Sequence, residues 1–337
     1  MKTQLSGAKW REGGSTGMIH QSTAIQATSM QNISKHQGKL PAHFSGHETF
    51  PLRQMWLKKA FDQAFGSELP KAVFNDANAI ATFGVGKNMV ASIRHWALAC
   101  GVIYESEQGS ASFQIGKVAR AILQDGGLDP YAENPSTAWL AHWQLAGRCF
   151  RSTTFYWLFN HVTTPTFTRQ ELEGPLGNFA RQLDPTHRLS TATISRDLET
   201  CLRSYAPRAA GGSPEDFAEP LLGELGLLQE VHKGQYAFRR GPKSSLHDGV
   251  FVHALLDFWD REAEGLSSLA FETIAYAEGS PGRVFKLDEE SIAQRLIRLS
   301  DFTANKLAWT DSAGLRQVHR KPITKEERRN MIRRAYD

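Results

Sequence analysis

The sequence predicts a mainly α protein with small β-hairpins, assembled from tandem winged-helix-like units of the helix-turn-helix kind and joined by helical segments. Three observations predict it. Between Asp76 and Ile115 two helical runs meet at Gly84-Val85-Gly86 and lead into two short apolar-aromatic runs around a polar turn. The plan of "ACGVIYE…SASFQIG" returns in "ELGLLQE…QYAFRRG": helix, glycine, apolar strand, polar turn, aromatic strand. Most of the remaining chain places apolar residues three and four apart, the spacing of helices with one buried face.

Bulk properties bound the answer. A chain of 337 residues with 41% hydrophobic and 22% charged residues can bury a sizeable core and is unlike a disordered protein. Cys100, Cys149 and Cys201 are widely spaced, which suggests neither a zinc ribbon nor a disulfide framework but buried thiols in a reducing compartment. No run reaches the roughly 20 apolar residues of a membrane span and the N-terminus lacks a secretory segment, so the expected location is cytoplasmic. The net charge of +4 is mild, but its distribution is uneven. Residues 1–43 carry five Lys/Arg against one acidic residue, and residues 316–337 carry eight against three. Both ends invite an anionic partner.

Taken in order, residues 1–43 are rich in Ser, Thr, Gln and Gly without a period and read as a disordered basic arm. A unit over 44–130 follows, with an N-terminal helix and a winged-helix-like domain. Pro51 suits a first helical position, and Leu52, Met55, Trp56, Ala60 and Phe61 extend a helical face toward Phe65. In the helix-turn-helix, Val85, Met89, Ile93, Trp96 and Ala97 share one face. Lys87, Asn88, Ser92 and His95 fall largely elsewhere, with Arg94 flanking, and these five are the candidate nucleic-acid contacts of a major-groove helix. The aromatic-rich segment 131–185 holds Trp139, Trp143, Phe150, Phe155, Tyr156, Trp157 and Phe159, whose density fits a helical core better than base stacking. Ser136 is a plausible cap there, and Thr168-Arg169-Gln170-Glu171 has capping-box spacing for a helix reaching Leu183.

A second winged-helix-like unit is expected over 186–245, with one helix through Ile194, Leu198 and Tyr205, another over Phe217 to Leu225, and a hairpin turning at His232-Lys233-Gly234. Lys233, Arg239 and Arg240 are its candidate phosphate contacts, a solvated wing tip being the plain alternative. Over 246–320 the spacing predicts helices at Val250 to Ala263, Leu269 to Ala277 and Asp288 to Leu299, then a hairpin flanking Asp311 and Gly314, a third possible wing. A basic tail, 321–337, closes the chain.

The stretch "HFSGHETFPLR", residues 43–53, supports two accounts. In one it is the lid of the helix at Pro51, with Glu48 at the positive helix end and Thr49 as cap. In the other it is catalytic: His47 as base, Glu48 orienting the histidine or holding a metal, Arg53 as electrophilic clamp. The second histidine of a zinc-protease helix is missing. Gly84-Val85-Gly86-Lys87 is likewise too short for a phosphate-binding loop and follows a helix rather than a strand.

Phe44 to Arg53, Trp56-Leu57-Lys58-Lys59, Phe83 to Val90 and Ile93-Arg94-His95-Trp96 together resemble the SspB-like family of bacterial DNA phosphorothioation (defence) systems, formerly an uncharacterised domain family found beside PAPS-reductase-like proteins. The resemblance spans about Phe44 to Pro322. It implies a place in a system that replaces a non-bridging phosphate oxygen of DNA by sulfur, with a DNA-nicking role. The partners it implies are double-stranded DNA, a cysteine desulfurase, an ATP-pyrophosphatase-like enzyme and an ATPase. It carries over no catalytic residues. The cofactor is open: a nickase would use a divalent metal of unspecified identity. The expected function is a DNA-binding component of such a system that nicks one strand for sulfur incorporation. The alternative is a non-catalytic winged-helix adaptor that recruits the modifying enzymes, and a third reading confines the winged units to protein contacts.

Overall fold

Among the described residues, three small antiparallel sheets of three strands recur along a helical body, each completed by a strand that lies far upstream of its hairpin. The computed structural model describes residues 42–106, 109–186, 188–206, 220–312 and 314–337, all within one unit that begins at Lys39. The arm expected over 1–43 lies, up to residue 41, outside the described residues, as does the Phe217 end of the expected helix 217–225. The described part of that helix is only a 3-10 turn at Gly223–Leu225.

The first repeat runs α1 (Trp56–Phe61), β1 (Glu68–Pro70), a 3-10 turn (Lys71–Phe74), α2 (Ala79–Phe83), α3 (Lys87–Ala99), β2 (Ile103–Glu105), β3 (Ser112–Ile115) and α4 (Lys117–Leu123). Gly84 ends α2 in the left-handed region at φ 63°, a conformation glycine adopts without the Cβ clash of other residues. The Lys59 ammonium then donates to the Phe83 carbonyl at 2.6 Å, satisfying one of the last acceptors of α2. Along α3, Val90, Ile93, Trp96 and Ala97 are buried, as their spacing requires. The sheet order is β1-β3-β2, with Glu68 opposite Gln114 and Ile103 opposite Ile115. Pro70 is tolerated because β1 is an edge.

The second repeat comprises β4 (Thr166–Thr168), α7 (Arg169–Leu183), α8 (Thr191–Tyr205), β5 (Leu228–His232) and β6 (Gln235–Phe238), in the order β4-β6-β5. Between the first and second repeats lie α5 (Pro135–Ala146) and α6 (Thr153–His161). The capping box of α7 forms as its sequence predicts, Thr168 and Glu171 answering each other's backbone N–H. A boundary between 185 and 186 would therefore cut between two helices of one repeat. After α9 (Asp248–Glu262), the third repeat has β7 (Ser268–Ala270), α10 (Phe271–Tyr276), α11 (Pro281–Val284), α12 (Glu289–Ile297), α13 (Leu299–Phe302), β8 (Leu307–Ser312) and β9 (Leu315–Arg320), in the order β7-β9-β8.

The central helices α5, α6 and α9 supply the core. Trp139, Trp143, Phe159, Phe251, Phe258 and Trp259 are sealed from solvent, so the aromatic-rich segment is interior, with Phe150 left at the surface. His142 sits among them, accepting from the Tyr205 hydroxyl at 2.7 Å and donating to the Val284 carbonyl at 3.0 Å. Burial pushes its pKa down to about 3. The cap of α5 is Asn134 rather than Ser136, with Pro135 at the first helical position.

Two expectations need correction. The helix expected from Pro51 begins at Trp56, because Arg53 pairs with Pro220 and the Leu221 N–H donates to the Leu52 carbonyl at 2.9 Å, holding this stretch extended. Glu48 and Thr49 consequently do not cap α1, whose cap position is Met55. The basic tail carries a helix. Residues 325–333 form α14 (Lys325–Arg333) behind a Thr324/Glu327 capping box, burying Met331 and Ile332, with Ala335 beyond it. Gly249 in α9 admits this segment closely: a Cβ there would come within 2.4 Å of the Met331 carbonyl oxygen.

Candidate nucleic-acid interface

Lys87, Asn88, Ala91 and Arg94 are exposed on α3, at positions i, i+1, i+4 and i+7 of one helical stripe. At the N-terminal end of that stripe an open groove of about 590 Å³ is lined by Phe50, Arg53 and the segment Gly84 to Met89. The Arg53 guanidinium lies over the rings of Trp56 at 5.2 Å and Phe50 at 5.8 Å, a placement that holds its charge at the groove. The first turn of α3 carries no acidic residue and no side-chain cap. Its backbone N–H groups and Lys87 therefore make this end of the groove positive.

Residues 43–53 supply the groove wall by folding back on α3. The Ser92 hydroxyl donates to the His47 carbonyl at 2.9 Å, and the Trp96 indole donates to the Phe50 carbonyl at 3.1 Å. Gly46, at φ 85°, brings the backbone against His95, where a Cβ would lie 2.7 Å from the ring Nδ1. His47 itself is buried. Its Nδ1 accepts from the Thr49 N–H at 3.1 Å, which leaves Nε2 to carry the proton and donate to Asp197 Oδ1 at 3.1 Å. Asp197, on α8, also accepts from the Ser45 N–H at 2.9 Å and the Thr154 hydroxyl at 3.3 Å. Ser45, Gly46, Glu48 and Thr49 all have positive φ, so this chain segment is held in a tight, left-handed course by its partners.

The candidate residues thus separate. Arg53 lines the groove beside Lys87 and Asn88, while His47 faces inward to Asp197 and Glu48 is exposed. Ser92 is fully buried and serves as a strut beneath His47, not as a surface contact. His95 is half-buried, and burial followed by the nearby His47, His43, Arg151 and Arg94 holds its pKa well below the usual histidine value. It is therefore a neutral ring at neutral pH. Lys233, Arg239 and Arg240 are exposed on the second repeat, the first at the β5–β6 turn and the others just after β6. Arg239 donates to the Gln229 side chain at 2.7 Å.

Two lysines near these arginines escaped the sequence reading. Lys243 donates to the carbonyls of Arg239 at 3.0 Å and Gly241 at 3.1 Å, and burial pulls its pKa down to about 8. Lys286 is buried over the Phe238 ring at 4.0 Å and donates to the Phe159 carbonyl at 2.6 Å. Nothing in "GPKSS" or "VFKLD" signals a buried ammonium. Among the described residues no group of three or more His, Cys, Asp or Glu side chains could hold a metal ion. The thiols of Cys100, Cys149 and Cys201 are free, and none of the described helices is long and apolar enough to cross a membrane.

The fold and groove define a helical protein of three sheet-bearing repeats with a cationic face on its first repeat. The chain belongs to the DUF4007 family, described as a protein of unknown function, which matches residues 44–336. It is similar to two solved structures, a magnesium ion-bound SspB (26% identity, TM-score 0.77) and a further SspB crystal structure (27% identity, TM-score 0.76). Each match covers 88% of this chain and 88% of the other. Among curated proteins nothing matches the chain. The magnesium of the first structure belongs to that protein.

Proposed function

We propose that this chain is the DNA-binding component of a DNA phosphorothioation system, and that each repeat is a winged-helix unit of which the first grips the duplex through α3. The observation that carries the reading is the stripe of Lys87, Asn88 and Arg94 on α3, continued by Arg53 in the groove at its N-terminal end. A helix of this kind lays its N-terminal residues on base edges in the major groove, while flanking cations meet phosphates. Asn88 has the side chain to read adenine; Lys87, Arg94 and Arg53 have the charge for the backbone. Arg239, Arg240 and Lys233 offer a second set of phosphate contacts on the second repeat. The likeness to SspB at 88% coverage supports the pathway assignment.

Between nickase and adaptor, the geometry favours the adaptor. A base must reach a substrate proton, and both ring nitrogens of His47 are engaged within the protein. Titrating one preparation against labelled duplex over a salt series, and incubating it with supercoiled plasmid with and without magnesium, tests both parts. Salt-dependent binding without strand scission is the expected outcome. Absence of binding at low salt would remove the DNA-binding reading, and metal-dependent nicking abolished by His47→Ala in a folded protein would restore the catalytic one.

A further inference from the structure

Lys286 stands where a glycine is the usual residue. It follows α11 in the left-handed region at φ 53°, and across it the Leu287 N–H donates to the Gly282 carbonyl at 3.0 Å, the closure of a Schellman turn. A residue with a Cβ is disfavoured at that position, so the reason for lysine is to be sought in its side chain. The side chain is buried, yet among the described residues no carboxylate pairs with it: the ammonium donates to the Phe159 carbonyl at 2.6 Å and lies 4.0 Å from the centre of the Phe238 ring. Its neighbours add charge of the same sign. The Gly241 N–H donates to the Lys286 carbonyl at 3.1 Å, and the Lys286 N–H donates to the Arg283 carbonyl at 3.4 Å, which brings the chain at Arg240 and Arg283 against it. Lys243, also buried, donates to the carbonyls of Arg239 and Gly241. Among the described residues two carboxylates act on this cluster, and both are engaged. Glu278 pairs with His161 at 2.7 Å, and Asp288 caps α12 by accepting from the Ser291 N–H at 2.8 Å. Burial, then the Arg240 and Arg283 charges, accordingly hold the Lys286 pKa well below the ordinary lysine value.

We infer that Arg240 and Arg283, backed by Lys243 and Lys286, form a binding site at the junction of the second and third repeats for a phosphate dianion, either the free ion or a monoester at the end of a nucleic-acid strand. Four cations against two engaged carboxylates leave an excess that a dianion meets and that a carboxylate or a single phosphodiester meets only in part. Guanidinium forks match the oxygens of a phosphate. Arg240 is exposed and Arg283 half-buried, so both can reach an anion, while the buried lysines act through their charge rather than by contact. The site goes beyond the phosphodiester contact proposed for Arg240, because an intact duplex backbone offers monoanions only.

Inorganic phosphate is the first probe, in thermal melts and calorimetric titrations of the full chain, against sodium chloride at matched ionic strength and against acetate as a monoanion. A saturable stabilisation by phosphate that neither control reproduces is expected. Arg240→Gln and Arg283→Gln are each expected to weaken phosphate about tenfold. Lys286→Met keeps the bulk and removes the charge; it is expected to raise the melting temperature without phosphate and to weaken phosphate, two shifts that a purely structural lysine would not combine. Arg240 is exposed, so its variant stands as the independent arm should a buried one not fold. Short single strands with and without a 5′-phosphate, competed against inorganic phosphate, distinguish the two sources: preference for the phosphorylated strand assigns a strand end, and no preference assigns the free ion. A response to phosphate no greater than that to chloride would overturn the inference. So would a phosphate response indifferent to Arg240→Gln. Either failure leaves the α3 stripe standing, since that is read by duplex binding of Lys87 and Arg94 variants.

Discussion

The His47 ring donates its Nε2–H to the buried Asp197 carboxylate at 3.1 Å, tying the loop that walls the groove of the first repeat to helix α8 of the second. Asp197 serves three donors at once, the others being the Ser45 N–H and the Thr154 hydroxyl. Removing it strands the His47 and Thr154 donors in the interior and leaves the Ser45 N–H without its acceptor. Asp197→Ala is therefore expected to lose about 3 kcal/mol or more of unfolding free energy, and Asp197→Asn less, because its amide oxygen still accepts. Urea denaturation monitored by tryptophan fluorescence measures both; a loss below about 1 kcal/mol for the alanine variant would contradict this account.

Gly46 packs its backbone on His95 at φ 85°. Alanine would meet both a disfavoured backbone region and the ring Nδ1 at 2.7 Å. Gly46→Ala is expected to destabilise by about 1–3 kcal/mol, and a thermal melt that does not move would show that the loop adjusts without strain.

On the groove, Lys87→Ala and Arg94→Ala are expected to weaken duplex binding at every sequence tested and to reduce the salt slope by about one each, with unchanged melting temperature. On the proposed reading, Asn88→Ala should instead relax sequence preference, by about 1–3 kcal/mol at one base pair. Fluorescence anisotropy over a salt series and over a set of duplexes separates the two patterns. Arg53→Ala should do more than either lysine or arginine variant, since it also frees the faces of Phe50 and Trp56.

Acid should unfold the protein through its buried histidines. The pKa of His142 is about 3 in the folded state, against about 6.5 in an unfolded chain. Below pH 6.5 the unfolded chain takes up a proton that the folded protein refuses, so stability present above that pH falls as pH drops toward 3. The slope is about 1.4 kcal/mol per pH unit for this one group. His142→Gln or His142→Leu should flatten the pH dependence of urea midpoints between pH 6.5 and 5, whatever it does to stability at pH 8.

Much of the architecture was legible. The i, i+3, i+4 spacing and the Gly84 stop located α2 and α3, and the Thr168/Glu171 box located α7, because these signals are local. The strands β1, β4 and β7 were missed: each is three residues long and acquires its pairing only from a hairpin far downstream. The start of α1 was misplaced for the same reason, since the bridge from Arg53 to Pro220 overrides the helical promise of Pro51. Of the site, the exposed charges of α3 were readable from periodicity. Ser92, three after Met89 and four before Trp96, lies on the buried face of the same periodicity, whereas the inward turn of His47 was not readable, because its partner Asp197 is 150 residues away.

The distance of those partners governs how the protein can come into being on the ribosome. While synthesis has not passed Asp197, the loop at His47 lacks its carboxylate; until Pro220 follows, Arg53 lacks its bridge. A nascent chain bearing only the first repeat thus emerges with its groove wall unfinished. Competence to hold a polyanion there should arise late in translation, with the second repeat, rather than when α3 first leaves the exit tunnel.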